Sequence, residues 1–144
     1  MVKKDPIDTF SRFFRVSRET ILLLKRYENL IIEANKNLNL IGKSTIKDIW
    51  TRHFLDSYQV IDFIDKNDKT IVDMGTGAGF PGLVLAIGLK ENKILSKVRL
   101  IEKSPKKAKF LRRVVKELNL NADVLLQNIF DESILNLGDV FIAR

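Results

Sequence analysis

A carboxylate followed by closely spaced glycines is the most specific chemical pattern in this chain of 144 residues. A β-branched run, Thr70 to Val72, leads into Asp73, and glycines then occupy positions 75, 77, 79 and 82. The apolar stretch from Leu83 to Leu89 follows and predicts a helix. A strand, a glycine loop and a helix in this order leave backbone N–H groups free to bind a nucleotide or a nucleotide-like cofactor.

The glycine loop fits two overlapping cofactor motifs. From Gly77 to Gly82 it is a GxGxxG sequence. Glu102 lies twenty residues after Gly82, which is the sequence separation typical of the acid that binds the ribose of a dinucleotide such as NAD. From Asp73 to Gly79 it is the DxGxGxG sequence of S-adenosylmethionine-dependent methyltransferases. In that class too an acid at the end of the second strand binds the ribose hydroxyls, so Glu102 fits both motifs.

Asp73 distinguishes the two motifs. A buried carboxylate is costly unless it has partners, and in the methyltransferase motif it holds the loop and the positively charged end of the ligand. The dinucleotide motif gives Asp73 no function and requires the strand to continue through Gly75 and Thr76, against strand propensity. A tight turn without a ligand would not need four glycines, which cost backbone entropy. We therefore predict S-adenosylmethionine as the cofactor, with an NAD-dependent oxidoreductase as the alternative. The predicted binding residues of the loop are Asp73, Gly75, Gly77 and Gly79.

A strongly basic segment follows the predicted second strand. Between positions 103 and 116 there are seven basic residues and no acidic residue, in a chain whose formal net charge is +7. A basic helix is most often simply a solvated face, but beside a cofactor loop it is a candidate for binding a phosphate backbone. The seven residues are Lys103, Lys106, Lys107, Lys109, Arg112, Arg113 and Lys116.

Alternating strands and helices are predicted around these residues, and they indicate an α/β fold with a parallel sheet and right-handed crossovers. Ser104 and Pro105 have the residue types expected at the N-cap and first position of a helix that carries the basic residues. A short helix or turn is predicted from Asp131 to Leu137. The four predicted strands are Thr70 to Asp73, Val98 to Ile101, Asp123 to Gln127, and Asp139 to Ala143.

The first part of the chain is predicted to be helical, which divides it into an N-terminal helical region, residues 1–67, and a cofactor-binding α/β domain, residues 68–144. Residues 1–16 form at most a short amphipathic helix. Ser17 is a good N-cap for an amphipathic helix from Arg18 to about Lys36. Ser44 can cap a second helix, and a third helical segment is expected from about Arg52 to Ile64.

Composition excludes several classes of function. The chain has no cysteine and one histidine, so a zinc site of the usual kind cannot be built. No apolar run is long enough to cross a bilayer, and the N-terminus lacks a signal-peptide core. We expect a soluble, cytoplasmic monomer with no metal and no membrane partner.

Four stretches together resemble the ribosomal RNA small subunit methyltransferase G family, also called the glucose-inhibited division protein B family. The resemblance runs from about Tyr27 to the last residue, and residues 142–144 resemble the start of the family's next motif. The four stretches are Asn37 to Ile41, Arg52 to Ser57, Asp73 to Gly82, and Lys106 to Leu111.

The resemblance implies a Rossmann-like methyltransferase fold and transfer of a methyl group from S-adenosylmethionine to N7 of one guanine in 16S rRNA. It implies that Gly75 and Phe80 line the cofactor site and that Glu102 holds the ribose. Ile129 and Phe130 would flank the adenine. At the position of Phe130 the family commonly has an acid. Arg144 would match an arginine that closes the site. The partner would be 16S rRNA or the small ribosomal subunit. The candidate RNA-binding residues are Lys106, Lys107, Lys109, Arg112 and Arg113, with Lys106 matching a family lysine best.

This reaction explains why no catalytic acid or base is predicted. Guanine N7 carries a free lone pair and no proton, and the sulfonium leaves as a neutral thioether. Catalysis then consists of holding guanine N7, the methyl carbon and the sulfonium sulfur in line. His53 and Asp56 share a helical face. They are expected either to pack the helical region against the cofactor domain or to help form the floor of the active site.

We also expect the sheet to be incomplete at its C-terminal side. Methyltransferases of this class resemble a seven-stranded sheet, and this chain supplies about four strands. A parallel edge strand is an unusual place for a domain to end. We therefore expect weak or absent methyl transfer from this chain, with a non-catalytic rRNA-binding remnant as the second alternative.

Overall fold

A four-stranded parallel sheet in the order β3-β2-β1-β4 forms the centre of the computed structural model, which describes residues 2–144. The α/β class and the partial parallel sheet predicted from the sequence are thus confirmed. The first and last residues of each strand differ from the predicted ones by at most one position. The strands are β1 Thr70–Met74, β2 Lys97–Glu102, β3 Ala122–Leu126 and β4 Val140–Ile142.

The central strand β1 pairs with β2 on one side and with β4 on the other, and Asp73 lies opposite Leu100 and Ile142. Its consecutive residues Ile71, Val72 and Asp73 are all fully buried. Continuous burial, instead of alternation, is expected when both faces of a parallel sheet are covered. Asp73 is therefore a carboxylate inside the most enclosed strand of the protein.

Helix α4, Gly82–Glu91, follows the glycine loop, and helix α5, Pro105–Glu117, follows β2. The predicted cap of α5 is confirmed, because the Ser104 hydroxyl accepts a hydrogen bond from the Lys107 N–H and Pro105 begins the helix. Four apolar side chains of α5 are buried while its charged side chains point away from the core. The buried residues are Ala108, Phe110, Leu111 and Val114.

The N-terminal part contains helices α1, Pro6–Phe14, and α2, Arg18–Ala34. Ser17 caps α2 as predicted, since its hydroxyl accepts a hydrogen bond from the Thr20 N–H. The same hydroxyl donates to Glu91 Oε2 at 2.6 Å, and the Ser17 N–H donates to Glu91 Oε1 at 2.7 Å. The C-terminal end of α4 is thereby joined to the N-terminal end of α2.

The region predicted to contain the second and third helical segments is helical, but Ser44 does not cap it, because the first segment begins at Lys43, after Gly42. Within this region the chain forms short segments of different pitch. The Thr45 hydroxyl donates to the Gly42 carbonyl at 2.8 Å, and such side-chain bonds compete with regular helix geometry. Two aromatic residues of the region, Trp50 and Phe54, are buried in the core. The segments are a 3₁₀ helix at Lys43–Asp48, a π-helix at Trp50–Leu55, the short helix α3 at Asp56–Tyr58 and a 3₁₀ helix at Gln59–Phe63.

One hydrophobic cluster runs through both parts of the chain, joining Phe10, Tyr27 and Phe54 to Leu83 and Leu100. A smaller cluster on Val72, Ile101 and Ile134 includes the 3₁₀ helix Glu132–Asn136, where a short helix or turn was predicted. Among residues 2–144, no helix has both the length and the apolar composition needed to cross a membrane.

Candidate functional site

The order of the strands identifies the edge of the sheet where a ligand is expected. The chain runs from β1 outward to β2 and β3, and then returns to place β4 on the other side of β1. In open parallel sheets, ligands bind at the carboxyl ends of the strands where the strand order reverses in this way. The glycine loop leaves the carboxyl end of β1 at this point.

The glycine loop has the backbone conformation that its composition predicts. Gly77 has a φ of +58°, in the left-handed region that side chains disfavour, and a Cβ built there meets no atom within 4 Å. Gly82 is limited by space and not by backbone conformation, because a Cβ there would lie 2.5 Å from Oδ2 of Asp73. The loop is therefore open at Gly77 and tightly packed at the start of α4.

Asp73 holds the start of α4 and retains one free oxygen. Its Oδ2 accepts a hydrogen bond from the Gly82 N–H at 2.8 Å, whereas its Oδ1 has no partner among residues 2–144. Burial raises the pKa of Asp73 to about 7, and the Glu102 carboxylate also raises it, while the nearby Thr76 hydroxyl and the Gly82 N–H oppose the shift. A buried carboxylate with an unused oxygen is suited to a cationic group of a ligand.

Glu102, at the end of β2, connects the glycine loop to the start of α5. Its Oε2 accepts a hydrogen bond from the Gly77 N–H at 3.0 Å, and its Oε1 accepts one from the Ser104 N–H at 3.0 Å. Each carboxylate oxygen can accept a second hydrogen bond. The predicted contact with ribose hydroxyls stays a prediction, and it is compatible with both of these bonds.

A cavity of about 230 Å³ lies beside the loop and brings together five of the residues predicted to bind the cofactor. The side chain of Phe130 is 85% exposed at the rim, and that of Ile129 is 43% exposed. The five predicted residues are Gly75, Gly77, Glu102, Ile129 and Phe130. The remaining lining residues are Ile101, Lys103, Lys107, Gln127 and Asn128.

Phe80 and Arg144 lie outside this cavity, in a second group of side chains. The rings of His53 and Phe80 stack with centroids 4.8 Å apart and an angle of 7° between their planes. The Arg144 guanidinium lies 5.7 Å from the centroid of Phe80, and its Nε lies 3.2 Å from Oδ2 of Asp56. We call Phe80, His53, Asp56 and Arg144 the Phe80 cluster; it connects the loop, the end of β4 and the helical region.

The surroundings of His53 within the Phe80 cluster shift the pKa of its imidazole. Burial lowers the pKa of His53, the Arg144 guanidinium lowers it further, and the Asp56 carboxylate acts in the opposite direction. Its Nε2 lies 3.1 Å from the Thr45 hydroxyl, and its Nδ1 is buried with no partner among residues 2–144. A neutral imidazole is therefore favoured at this position near neutral pH.

The structure divides the basic residues of α5 between two places. Lys107, predicted to bind RNA, lines the cavity beside the glycine loop together with Lys103. The other four predicted RNA-binding residues line a separate groove of about 480 Å³ between α5 and the end of α2, which we call the basic groove. Its residues are Ala34, Leu38, Lys106, Lys109, Phe110, Arg112, Arg113 and Lys116.

The cationic side chains of the basic groove are not equally available. Arg113 pairs with Glu117 at 2.9 Å, and Arg112 donates to the Val124 carbonyl at 3.3 Å. In the part of the chain that the structure describes, Lys106, Lys109 and Lys116 form no ion pair. These three exposed lysines are therefore the groove's most accessible cations.

Sequence reasoning missed one residue that contacts the loop. Tyr27, which lies within the amphipathic helix predicted from Arg18 to about Lys36, donates its hydroxyl hydrogen to the carbonyl of Ala78. A buried tyrosine needs a hydrogen-bond partner for its hydroxyl. A tyrosine in an amphipathic helix was therefore the signal in the sequence that such a contact exists. The partner itself lies 51 residues away and is not visible from the sequence.

The described residues contain no group of three or more histidine, cysteine or acidic side chains arranged to hold a metal ion. The parallel sheet, the glycine loop at the reversal of strand order, and an acid at the ends of β1 and β2 define an α/β protein of the Rossmann-like methyltransferase class. The model of the family "rRNA small subunit methyltransferase G" matches residues 20–144. The chain belongs to this family.

Curated relatives carry the name ribosomal RNA small subunit methyltransferase G. The protein of Pelagibacter ubique is 41% identical over 127 residues, which are 87% of this chain and 60% of the relative. That of Bartonella tribocorum is 40% identical over 132 residues, 90% of this chain and 60% of the relative. That of Rhodospirillum centenum is 44% identical over 119 residues, 82% of this chain and 52% of the relative. The chain thus spans between 52% and 60% of the length of these relatives.

Both the comparisons and the loop favour the methyltransferase interpretation of the glycine motif. Strand β1 ends at Met74, so Gly75 and Thr76 do not continue it as the dinucleotide motif requires. Asp73, which that motif leaves without a function, holds the N-terminus of α4.

Proposed function

We propose that this chain binds S-adenosylmethionine at the glycine loop and acts in methylation of N7 of a guanine in 16S rRNA. The observation that carries the proposal is the free Oδ1 of the buried Asp73, beside a loop that Glu102 already holds through Gly77. The names of the relatives, which specify a methyltransferase and the small-subunit rRNA, support it.

Residues in and behind the cavity match the parts of this cofactor. Asp73, buried behind the glycine loop and not lining the cavity, is suited to the ammonium group, and Glu102, which lines it, is suited to the ribose hydroxyls. Ile129 and Phe130 offer apolar surface to the adenine. S-adenosylmethionine supplies the methyl group as part of a sulfonium, so the protein residues need only bind and orient.

No residue is required to move a proton, because N7 of guanine has a free lone pair. What this chain contributes is orientation of the two reactants. The Phe80 cluster lies at the carboxyl ends of β1 and β4, next to the loop, and we assign it to the side of the site that faces the guanine. The neutral imidazole of His53 and the aromatic ring of Phe80 offer flat surfaces there, while Arg144 supplies positive charge.

The basic groove is proposed to bind the phosphate backbone of the rRNA. Lys109 and Lys116 form no ion pair among residues 2–144, and they line the groove together with the apolar side chains of Leu38 and Phe110. Lysine contacts with phosphates position an RNA without reading its sequence. The groove would thus orient the RNA, while the specificity for one guanine comes from elsewhere in the complex.

Cofactor choice is tested by calorimetric titration with S-adenosylhomocysteine and, separately, with NAD. Heat of binding with S-adenosylhomocysteine and none with NAD supports the proposal. Heat with NAD alone overturns it and favours an oxidoreductase. Binding of rRNA with no binding of either cofactor favours a non-catalytic RNA-binding protein.

The substrate is tested with radiolabelled S-adenosylmethionine, using small ribosomal subunits and protein-free 16S rRNA in parallel. N7-methylguanine makes the RNA chain cleavable by borohydride followed by aniline, which locates the modified base. Weak cleavage at a single guanine is the expected result, in line with the low activity predicted from the sequence. Label at another atom, or no label in either substrate from a chain that binds the cofactor, contradicts the proposed reaction.

A further inference from the structure

Tyr27 of α2 reaches into the glycine loop from the N-terminal helical part of the chain. Its side chain is fully buried, and its hydroxyl donates a hydrogen bond to the carbonyl of Ala78. Ala78 lies between Gly77, which lines the cofactor cavity, and Gly79. The contact therefore falls in the middle of the segment that we assign to the cofactor.

The approach of Tyr27 to the loop is close enough to constrain the residue type at position 79. A Cβ built on Gly79 would collide with the Tyr27 hydroxyl and with the side chain of Leu83. Gly79 also has a φ of +104°, which side chains rarely adopt. The hydroxyl thus occupies the space that any other residue at position 79 would need.

Packing fixes the direction in which the hydroxyl points. The ring of Tyr27 is stacked on that of Phe54, with centroids 5.5 Å apart and planes at 19°. On another side it contacts Phe80, at 5.8 Å and 45°. Because Phe80 belongs to the loop, Tyr27 touches it through both its ring and its hydroxyl.

The loop needs such a restraint because several of its residues have conformational freedom. Gly75, Gly77 and Gly79 all have positive φ, and glycine readily leaves such conformations. Within residues 2–144, Glu102 restrains the loop through the Gly77 N–H, and Asp73 restrains its end through the Gly82 N–H. Both of these acids belong to the sheet, whereas Tyr27 belongs to α2.

We infer that Tyr27 is a positioning residue for cofactor binding, which it promotes by holding the carbonyl of Ala78. This inference rests on the proposed function. Holding a flexible loop in its binding conformation before the ligand arrives removes an entropic cost of binding. The helical region would then contribute to cofactor affinity without touching the cofactor.

The test is the substitution Tyr27→Phe, which removes the hydroxyl and keeps the ring. We expect its affinity for S-adenosylhomocysteine, measured by calorimetry, to fall about tenfold, since the Ala78 carbonyl loses its partner. Tyr58→Phe is the matched control. Tyr58 is 3% exposed, packs against Phe10 at 5.2 Å, and its hydroxyl forms no hydrogen bond among the described residues.

Hydrogen exchange provides a second measurement. It separates a local loosening of the glycine loop from a general loss of stability. The amides of Gly79 and Phe80 both donate to the Thr76 carbonyl, at 2.9 and 3.1 Å. In Tyr27→Phe these two amides are expected to exchange faster, while the amides of β3 keep their rates. A general loss of stability would raise the exchange of β3 as well.

Each outcome decides between the inference and its alternatives. Weaker binding by Tyr27→Phe, with normal binding by Tyr58→Phe, supports the inference. Equal binding by Tyr27→Phe and the wild type overturns it, as does an equal loss of affinity in both variants. Absence of binding by the wild-type protein instead overturns the proposed function on which the inference rests.

Discussion

Arg144, which follows β4, and Asp56, in α3, form an ion pair with Nε and Oδ2 3.2 Å apart. The same guanidinium donates from Nη2 to the carbonyl of Arg52 at 2.8 Å and lies over the ring of Phe80. One side chain thereby joins the last strand, the glycine loop and the helical region. The junction lies at the carboxyl edge of the sheet, where the strand order reverses.

The energy of this ion pair is expected to be small. Both side chains are partly exposed, so a double-mutant cycle with Asp56→Ala and Arg144→Ala should give a coupling of at most about 1 kcal/mol in urea unfolding. High salt should reduce the coupling. The control is a cycle on Arg113 and Glu117, an i,i+4 pair for which about 0.3–0.5 kcal/mol is expected. A coupling of several kcal/mol, or one insensitive to salt, would contradict this assignment to a surface pair.

Asp73 is expected to make the free energy of unfolding depend on pH. Its pKa is raised to about 7 in the folded protein from an ordinary value of 3.8, so the folded state binds the proton more tightly than the unfolded state. The contribution of Asp73 to stability is therefore complete below pH 3.8, falls as the pH rises toward 7, and is constant above it. Asp73→Asn removes this dependence and keeps an oxygen for the Gly82 N–H.

The measurement is the difference in unfolding free energy between the wild type and Asp73→Asn at several pH values. Other carboxylates titrate equally in both proteins and cancel. The wild type should lose stability relative to the variant between about pH 4 and pH 7. A flat difference across this range would show that Asp73 has an ordinary pKa.

Gly77→Ala is expected to weaken cofactor binding more than it weakens the fold. The φ of +58° costs a side chain about 1 kcal/mol, and the added methyl group takes up space beside the cavity. Gly42→Ala is the matched control, because Gly42 has a φ of −61° and a Cβ there meets its nearest atom at 3.9 Å. Calorimetry with S-adenosylhomocysteine should show a loss of affinity for Gly77→Ala alone. Equal affinities for the two variants would place the cofactor elsewhere.

Replacing both Lys109 and Lys116 by Gln should weaken binding of 16S rRNA and make it less sensitive to salt. Each lost phosphate contact is expected to lower the slope of log affinity against log salt by about 0.7–0.9. The control replaces Lys66 and Lys93, two exposed lysines outside the basic groove, which produces the same change in net charge. Filter binding over a range of salt concentrations measures both slopes. If the two double variants lose affinity equally, net charge and not the groove accounts for RNA binding.

The local parts of the fold could be predicted from the sequence because their causes are local. Strand β1 follows from its β-branched residues, and the start of α5 follows from Ser104 and Pro105. Asp73 could be recognised as a buried acid because it lies in an apolar strand. The prediction that Ser44 caps a helix was wrong, because the helical segment already begins at Lys43, and residue type alone does not locate a helix start to within a residue or two.

The arrangement of the site depended on contacts between distant parts of the chain. Lys106 and Lys107 are adjacent in sequence, yet one lines the basic groove and the other lines the cavity beside the glycine loop. Successive residues of a helix point about 100° apart, so neighbours in a charged run reach different surfaces. The contact of Tyr27 with Ala78 likewise appears only once α2 lies against the loop.

Helix α4 has no polar side from Gly82 to Leu89, where every residue is buried. It lies between the sheet, which it contacts through β2, and the helical elements α2 and α3. An ordinary surface helix keeps one face for water, so it can lose its neighbours on that face without penalty. This helix cannot, and cutting the chain between Phe63 and Thr70 would leave the apolar side of α4 that faces α2 and α3 uncovered. The glycine loop and the helices that precede it are thus inseparable in any shortened or grafted version of this protein.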